Sequence, residues 1–200
     1  MDRTVKKYAA IYRTAIRQSS LPDVGAKTQA YAEKLTQMYD SQSYREHSVY
    51  PTMSTERVYA VIAMCLMLKS YGFDSKQIID IVDGGFENRR HMFKRLEKII
   101  DLFPCAWQIA RKWNISDHEG RVKDGSITYD YFNVTDDSVS YKISHCMYAE
   151  MFEHYGIREC CKIFCMMDVM AYSSLTRHVN FIRHSDLSDG DCCQDEVLKK

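Results

Sequence analysis

The chain has 200 residues, 46% of them hydrophobic and 27% charged, and its 27 Lys and Arg balance its 27 Asp and Glu. A chain of this length can bury a core without disulfide staples, so we expect a single domain over residues 1–200. Because the net charge is zero, the chain as a whole has no positive electrostatic potential that would attract a phosphate backbone. This argues against a nucleic-acid partner. The longest apolar run, 61–68, is far shorter than the ~20 residues of a membrane span, so no membrane partner is expected.

The cysteines indicate a reducing compartment. The chain has eight of them, six after residue 145. The N-terminal residues are basic but lack a continuous apolar segment, so they do not resemble an export signal. Free thiols and a cytoplasmic location are therefore expected. Cys65 and Cys105, which lie in apolar stretches, are expected to be small core residues.

The first 115 residues have mainly helical patterns. Apolar side chains at helical spacing predict helices over 5–16 and 26–44. A third helix is predicted over about 55–71, with Ser54 as its N-cap and Gly72 at its end. Because this third helix is apolar on most sides, we expect it to be the central buried one.

Further helices are predicted up to residue 115. Asp74 and Gln77 have the spacing of a capping box, and Gly84-Gly85 breaks the helix that follows. An amphipathic helix is predicted over 86–102, and a shorter one from Pro104 that ends near Asn114. The side chains of the amphipathic helix that are expected to face the core are Met92, Phe93, Leu96, Ile99 and Ile100.

The pattern changes after Asn114, and the rest is predicted to contain strands. Glu119-Gly120 and Asp124-Gly125 are turn signals, and alternating side chains then predict three strands and a last short one. The strands are expected over 126–134, 139–144 and 179–184 and after Cys192, with Ile127, Tyr129 and Tyr131 on one face of the first. The helices are expected over 145–155 and 158–173. The fold class is therefore α+β, with a helical part (1–115) packed with a small antiparallel sheet and two helices (116–200).

Thiols and acids share helix faces in the last third of the chain. Cys146 and Glu150 are four residues apart on one predicted helix, so they lie on the same face. Cys165 and Asp168 are three apart on the next helix. An Asp among mostly apolar neighbours is costly to bury unless it meets a cation, a hydrogen-bond donor, a metal or water. Asp168 is therefore the strongest single sign of a site.

Arg183 is the expected cation of this site. It alternates with Phe181 on the strand 179–184, so these two side chains share a face and His184 points to the other. An inward guanidinium presents a fork of donors that suits a carboxylate. An exposed position on the strand is the alternative for Arg183, and the sequence leaves both open.

No cofactor is expected, and zinc is the alternative. Zinc sites use about four Cys or His ligands, often in pairs two to four residues apart. The chain has no C-x-x-C pair; Cys161 and Cys165 are separated by three residues, and Cys192 and Cys193 are adjacent. The histidines near them follow no standard zinc pattern and are His145, His154, His178 and His184.

Two stretches of the last third carry a recognisable pattern, HCMYAEMFEHYGIRECCKIFCMMDVMAY and VNFIRHSDLSDGDCC. A Cys precedes a helical Ala-Glu segment, a Cys-x-x-Asp lies on the next helix, and an arginine-bearing strand leads to a Gly-Asp-x-Cys turn. These elements fall on Cys146, Ala149-Glu150, Cys165 to Asp168, Arg183 and Gly190 to Cys193. Over roughly 140–195 the chain resembles the L-2-amino-thiazoline-4-carboxylic acid hydrolase family.

The resemblance implies hydrolysis of a five-membered cyclic amidine that bears a carboxylate, giving a carbamoyl-cysteine. The residues that it implies to be catalytic are Cys146, Cys165, Asp168 and Cys193. Those that it implies to bind substrate are Glu150, Arg183 and Asp191. One departure is that Gln194-Asp195 follows the last Cys, where members often have an acidic and an aromatic residue. We therefore expect the end of the site to differ.

These residue types suit such chemistry. A protonated cyclic amidine is a planar cation that Asp168 or Glu150 would clamp through paired hydrogen bonds, while Arg183 would hold the substrate carboxylate. A thiolate from one of the three candidate cysteines would attack the amidine carbon, and water would release the adduct. A thiol beside Arg183 or at a helix N-terminus would be the more acidic one. His145 or His184 would move protons.

Two other classes of function stay open. The same pocket could belong to a binding module that holds a small molecule or a metal without catalysis. Alternatively, the helical N-terminal part could be a scaffold for protein interactions, with a purely structural cysteine cluster. A small-molecule partner is expected, and the Met-rich helices are compatible with a homo-oligomer.

Overall fold

The computed structural model describes residues 2–85 and 87–200, excepting the side chains of 87–90 and 92. The chain forms two compact units, one of Met1–Glu87 with Met151–Cys160 and one of Asn88–Glu150 with Cys161–Lys200. Helices and a four-stranded antiparallel sheet confirm the α+β class. A single domain with a boundary near residue 115 stays a prediction.

The first unit is built from helices. They are α1 (Arg3–Gln18), α2 (Val24–Tyr39), α3 (Gln42–Glu46), α4 (Thr52–Ser70) and α5 (Ser75–Gly84), with a 3₁₀ turn at His47–Val49. Helix α4 is its core, because nearly every side chain between Val58 and Leu68 is buried. Helices α1, α2 and α5 pack against it. In the part of the chain described, no helix is both long and apolar enough to cross a membrane.

Of the predicted helix ends in this unit, the start of α5 and the end of α4 are confirmed, and the start of α4 is wrong. Asp74 and Gln77 form the predicted capping box at the start of α5. Ser54 does not cap α4; the helix begins at Thr52, after Pro51. Proline fits this place because its fixed φ suits a helix start, where the missing N–H would have no partner. Gly72 adopts a φ of +86° after the end of α4, as predicted for a left-handed cap.

The second unit contains the sheet. Its helices are α6 (Glu87–Ile100), α7 (Ala106–Lys123), the first half of α8 (Met147–His154) and α9 (Lys162–Tyr172). Its strands are β1 (Ile127–Val134), β2 (Ser138–Cys146), β3 (Val179–Ser185) and β4 (Cys193–Lys199). The strand order is β1-β2-β4-β3, with every neighbouring pair antiparallel. Helix α7 packs against β1, β2 and β3, and α9 packs against β3.

Helix α6 is oriented opposite to the prediction. Phe93, Leu96 and Ile99 are 50%, 51% and 55% exposed, whereas Glu97 is completely buried. Helical spacing identifies the apolar face of a helix but not the direction in which that face points. Just beyond the helix, the buried Asp101 accepts two hydrogen bonds from the backbone N–H of Arg177. Met92, also predicted to face inward, lies outside the described side chains.

Helix α7 is longer than predicted. It continues through Asn114 and Gly120 and ends at Lys123, so the predicted turn at Glu119-Gly120 is wrong. One glycine inside a helix costs only ~1 kcal/mol relative to alanine, and the favourable residues around Gly120 outweigh that cost. The other predicted turn, at Asp124-Gly125, is confirmed, because α7 ends just before it and Gly125 has a φ of +70°.

A bulge in β1 changes which side chains share a face. The β1–β2 register shifts on both sides of Tyr129, so Tyr131 pairs with Lys142 and Phe132 pairs with Tyr141. Tyr129 and Phe132 therefore lie on the same face with rings 5.9 Å apart, and Tyr131 lies on the other. The predicted face shared by Tyr129 and Tyr131 is wrong, because a strict alternation cannot anticipate an extra residue in a strand.

Candidate functional site

The candidate site is centred on one row of side chains that crosses all four strands. Phe132 of β1 pairs with Tyr141 of β2, Tyr141 pairs with Asp195 of β4, and Asp195 pairs with Arg183 of β3. Residues paired across strands project to the same face of a sheet. The register therefore places a phenol, a carboxylate and a guanidinium side by side, on the face that also carries Tyr129.

Arg183 and Asp195 form a paired ion bridge within this row. The Arg183 Nε donates to Asp195 Oδ1 at 2.9 Å and its Nη2 donates to Asp195 Oδ2 at 2.7 Å. Asp195 also accepts from the Tyr141 hydroxyl at 3.1 Å and from the Cys193 thiol at 3.4 Å. Arg183 is 13% exposed and Asp195 is fully buried. A buried carboxylate with this many donors is a fixed part of the framework.

Asp168 is the second carboxylate on the guanidinium. Its Oδ2 accepts from Arg183 Nη2 at 3.2 Å, while Arg183 Nη1 donates to the backbone carbonyl of Cys165, one helical turn earlier on α9. Arg183 of β3 thus ties the middle of α9 to the sheet. The predicted meeting of Asp168 with a cation is present in the structure.

The carboxylate of Asp168 lies close to other protein atoms and is also accessible to solvent. Desolvation by neighbouring protein atoms and repulsion from Asp195 raise its pKa to about 6, although Arg183 opposes the rise. The side chain is nevertheless 57% exposed. The exposed part of the side chain shows that solvent reaches the carboxylate despite the protein atoms around it. Asp168 is therefore accessible from solvent.

Tyrosines surround Asp168. The phenols whose pKa is raised by burial and also by the charge of Asp168 are Tyr129, Tyr141 and Tyr172. Tyr172 of α9 stacks on Phe181 of β3 with ring centroids 5.0 Å apart. Neutral aromatic rings near an accessible carboxylate suit a planar ligand.

Cys146 lies at the junction of β2 and α8. The backbone N–H groups of Tyr148 and Ala149, in the first turn of α8, hydrogen-bond to its sulfur and favour the thiolate. Burial is the larger effect and raises its pKa to about 11; repulsion from Cys165 and Asp168 adds to the rise. The thiol is therefore protonated at neutral pH, with two donors in place for a sulfur anion.

Cys193 has less favourable surroundings for a thiolate, and Cys165 is hydrogen-bonded to a neighbouring thiol. Cys193 is buried, and burial together with the charge of Asp195 raises its pKa well above the ordinary range. Cys165 is half-buried, and a side-chain hydrogen bond joins it to Cys161, whose pKa is raised. Cys146 differs from Cys193 in having two backbone N–H donors at its sulfur, which oppose the effect of burial.

The structure brings four predicted residues close together and locates the others around them. Asp168 is common to these four, because its charge raises the pKa of Cys146 and of Cys193 and its own pKa is lowered by Arg183. Glu150, in the first turn of α8, has its Oε2 3.4 Å from His145 Nε2. Asp191 is exposed in the turn before β4 and makes no hydrogen bond or ion pair with the described residues. Substrate binding by Glu150 and Asp191 stays a prediction.

Asp195 and a face of α7 were not among the predicted site residues. Asn114, Asp117, His118 and Arg121 repeat at intervals of three and four, which places them on one face of α7. Asn114 hydrogen-bonds to Tyr172, and the charge of Asp117 raises the pKa of Asp168. His118 stacks on Phe132 with ring centroids 3.8 Å apart. The spacing was visible in the sequence, but the incorrect turn at Gly120 divided it.

The charges of the site favour a cationic ligand. Asp168 and Asp195 face a single guanidinium, so ionisation of Asp168 leaves one negative charge in excess. Because Asp195 is buried, the accessible part of that charge lies on Asp168. A planar cation that offers two N–H groups would pair with this carboxylate between the aromatic rings.

In the described portion of the chain, no group of three or more His, Cys, Asp or Glu side chains is arranged to hold a metal ion. The eight cysteines are all free thiols. Zinc therefore stays an untested alternative that elemental analysis of the protein would decide.

Comparison with known proteins extends the resemblance beyond the last third. The model of the L-2-amino-thiazoline-4-carboxylic acid hydrolase family matches residues 79–195, which is more than half of the chain. The match includes the site face of α7 and ends at Asp195. No curated protein and no solved structure gave a significant match. The chain therefore belongs to the L-2-amino-thiazoline-4-carboxylic acid hydrolase family.

Proposed function

We propose that the protein hydrolyses a small, planar cyclic amidine, such as L-2-amino-thiazoline-4-carboxylate, by cysteine-dependent chemistry. The observation that carries the proposal is the Asp168 carboxylate, which Arg183 holds in a solvent-accessible position near three tyrosines. An amidine is protonated near neutral pH, so it is a planar cation with N–H groups at its charged end. Membership of a hydrolase family agrees with a reaction at that end of the ligand.

Asp168 binds the charged end of the substrate. The ionised carboxylate accepts two hydrogen bonds from the amidinium, while Arg183 fixes its rotamer through Oδ2. This contact orients the amidine carbon and keeps the positive charge on the substrate, which makes that carbon more electrophilic. The tyrosine rings restrict the ligand to one plane.

Cys146 is the nucleophile that the surroundings favour. Its sulfur adds to the amidine carbon and forms a carbon–sulfur bond, while the N–H groups of Tyr148 and Ala149 stabilise the developing sulfur anion. The addition cancels the charge of the amidinium, so Asp168, which is within electrostatic reach, takes the thiol proton in the same step. Proton transfer from a thiol with a raised pKa costs energy, which the fixed donors of α8 reduce.

Ring opening and hydrolysis follow by balanced steps. The tetrahedral adduct collapses with cleavage of one ring bond, and the departing nitrogen or sulfur takes the proton that Cys146 gave up. The ring-opened substrate remains attached to Cys146 through the former amidine carbon. Water adds to that carbon, the Cys146–carbon bond breaks, and the thiol is regenerated. The net change is the addition of one water molecule, and a carbamoyl-cysteine is the product from L-2-amino-thiazoline-4-carboxylate.

The direct test is turnover by the purified protein. L-2-amino-thiazoline-4-carboxylate is incubated with the enzyme, and carbamoyl-cysteine is measured by mass spectrometry against a control with the Asp168→Asn variant. We expect product from the wild-type protein and a loss on the order of 10²-fold or more in the variant. If this compound and its close cyclic amidine analogues are not opened, the proposed reaction is wrong.

A binding module without catalysis is the second candidate function. The specific observation that favours it is that burial raises the pKa of Cys146 to about 11, so the resting protein contains little thiolate. Calorimetry separates the two proposals: a binding module holds the cyclic amidine with a stable stoichiometry and releases it unchanged. Stoichiometric zinc in the freshly purified protein would instead favour a metal site.

A further inference from the structure

The carboxylate end of the proposed substrate needs a cation other than Arg183. An arginine has five N–H donors. In Arg183, one donor each goes to Asp195 Oδ1, Asp195 Oδ2, Asp168 Oδ2 and the Cys165 carbonyl. Only one N–H of its Nη1 has no partner among the described residues, so the fork that would hold a second carboxylate is already occupied.

Arg121 is a cation in which several guanidinium N–H donors bind none of the described residues. It lies near the C-terminal end of α7, on the face that carries Asn114 and Asp117. Its Nε donates to Asp117 at 3.3 Å and its Nη1 donates to the Tyr148 hydroxyl at 3.1 Å. Both N–H groups of Nη2 and the second of Nη1 have no partner in the described part of the chain. Its side chain is 25% exposed, so these donors are accessible to a ligand.

The phenol of Tyr129 interacts electrostatically with Arg121 and with the proposed catalytic groups. The pKa of its phenol is raised mainly by burial and is influenced by Asp117, Arg121, Asp168 and Cys146. One hydroxyl therefore lies within electrostatic reach of the proposed nucleophile, of the carboxylate for the amidine, and of the guanidinium of Arg121. Tyr148, which holds Arg121, is also the residue whose N–H supports the Cys146 sulfur.

We infer that Arg121 is the specificity-determining residue that receives an anionic group of the substrate, at the end of the ring opposite the amidine. The inference rests on the proposed function, because it takes Asp168 as the partner of the amidine. Asp117 and Tyr148 fix the guanidinium, leaving Nη2 for a carboxylate. The substrate class is thereby narrowed to cyclic amidines that carry a negative group, with the two charges of the ligand matched by Asp168 and Arg121.

The experiment compares two substrates that differ only in the carboxylate, L-2-amino-thiazoline-4-carboxylate and 2-amino-thiazoline. In the wild-type protein, kcat/KM is expected to favour the carboxylated compound. Arg121→Gln is expected to lower kcat/KM for that compound by about 10- to 100-fold, mainly through KM, because a charged hydrogen bond is lost. For 2-amino-thiazoline, kcat/KM is expected to fall much less, so that the ratio of kcat/KM between the two compounds drops. Arg121→Lys, which keeps the charge, is expected to restore part of the preference.

The ratio of kcat/KM for the two substrates distinguishes a loss of substrate binding from a folding defect. A structural defect in Arg121→Gln lowers kcat/KM for both compounds equally, and that result would overturn the inference, as would an unchanged ratio. Arg111→Gln is the matched control, since Arg111 lies on the same helix and donates to the Thr135 carbonyl. If the wild-type protein opens neither compound, the proposed function fails with the inference. If it opens the carboxylated compound and the ratio does not respond to Arg121, only the inference fails.

Discussion

Arg183 and Asp195 are directly opposite each other on β3 and β4 and share two hydrogen bonds of 2.9 and 2.7 Å. This pair fixes the guanidinium that holds Asp168, so the accessible carboxylate depends on the buried one. Breaking a buried ion pair by removing one partner is strongly destabilising, since the other charge is left without compensation.

Asp195→Asn is expected to lower the free energy of unfolding by about 3–5 kcal/mol. The neutral amide turns donors toward Arg183, Tyr141 or Cys193, which donate to Asp195 in the wild-type protein. Denaturation by urea measures the change. Glu196→Gln is the control on the same strand, because Glu196 is 37% exposed and its pairing with His184 spans 3.5 Å. The control is expected to cost less than ~1 kcal/mol, and an equally small cost for Asp195→Asn would contradict the role of the buried pair.

Cys146→Ala is expected to lower kcat on the order of 10³-fold or more, because the covalent route is lost. Wild-type protein quenched during turnover is expected to carry the mass of the ring-opened substrate on the peptide that contains Cys146. Mass spectrometry of a protease digest identifies the modified residue.

Cys165→Ala and Cys193→Ala test the other two thiols. Both variants are expected to keep the adduct on Cys146, and Cys193→Ala is expected to lose some stability because its thiol donates to Asp195. Cys192→Ala is the matched control beside Cys193, with a half-buried side chain. An adduct on Cys165 or Cys193 in the wild-type protein would show that the wrong nucleophile has been chosen.

Local patterns were sufficient to predict part of the site. Helical spacing placed Asp168 among apolar residues, and strand alternation placed Arg183 on one face of β3. Each prediction depends only on neighbours along the chain, and the structure agrees with both. Cys146 was predicted to share a helix face with Glu150, and that placement is wrong, because Cys146 is the last residue of β2 and the helix begins at Met147.

The partners of these residues could not be predicted from local patterns. Asp195 meets Arg183 and Tyr141 only because β4 lies between β2 and β3, and this strand order is a long-range property. The resemblance had marked Gln194-Asp195 as a departure, whereas the structure places Asp195 at the centre of the ion network. The direction of the apolar face of α6 was likewise decided by tertiary packing rather than by periodicity.

The pH dependence of turnover tests Asp168. Its pKa is raised to about 6, so below that pH the carboxyl is neutral and no longer attracts a cation. For the wild-type protein, kcat/KM is therefore expected to rise with pH through about 6 and then level off. Besides burial, the groups that set this value are Arg183, which lowers it, and Asp195 and Asp117, which raise it.

The variant Asp168→Asn tests whether Asp168 causes the fall in kcat/KM at acidic pH. It is expected to have low activity and no change of kcat/KM near pH 6. Asp189→Asn, at a carboxylate that is 71% exposed, is expected to keep the fall below pH 6. Initial rates across the acidic range provide the comparison. Full activity in Asp168→Asn would remove the basis for amidine binding at this residue.

Glu97→Gln is expected to stabilise the protein at alkaline pH. Glu97 is fully buried, and neither of its carboxylate oxygens has a hydrogen-bond partner of good geometry in the described structure. Burial raises its pKa to about 7, while Ser174 and Lys94 partly oppose the rise. The unfolded chain releases this proton near pH 4.5, so folding favours the protonated form and stability falls as the pH rises through 7.

Thermal unfolding at about pH 5 and about pH 8.5 measures this effect. A neutral glutamine resembles the protonated acid, so Glu97→Gln is expected to leave the free energy of unfolding nearly unchanged at the lower pH. At the higher pH, the variant is expected to gain ~1–3 kcal/mol, because the buried charge is absent. Glu33→Gln, at an exposed position of α2, is expected to change neither value by more than ~0.5 kcal/mol. A loss of stability for Glu97→Gln at the higher pH would mean that the charged carboxylate has a partner that stabilises it.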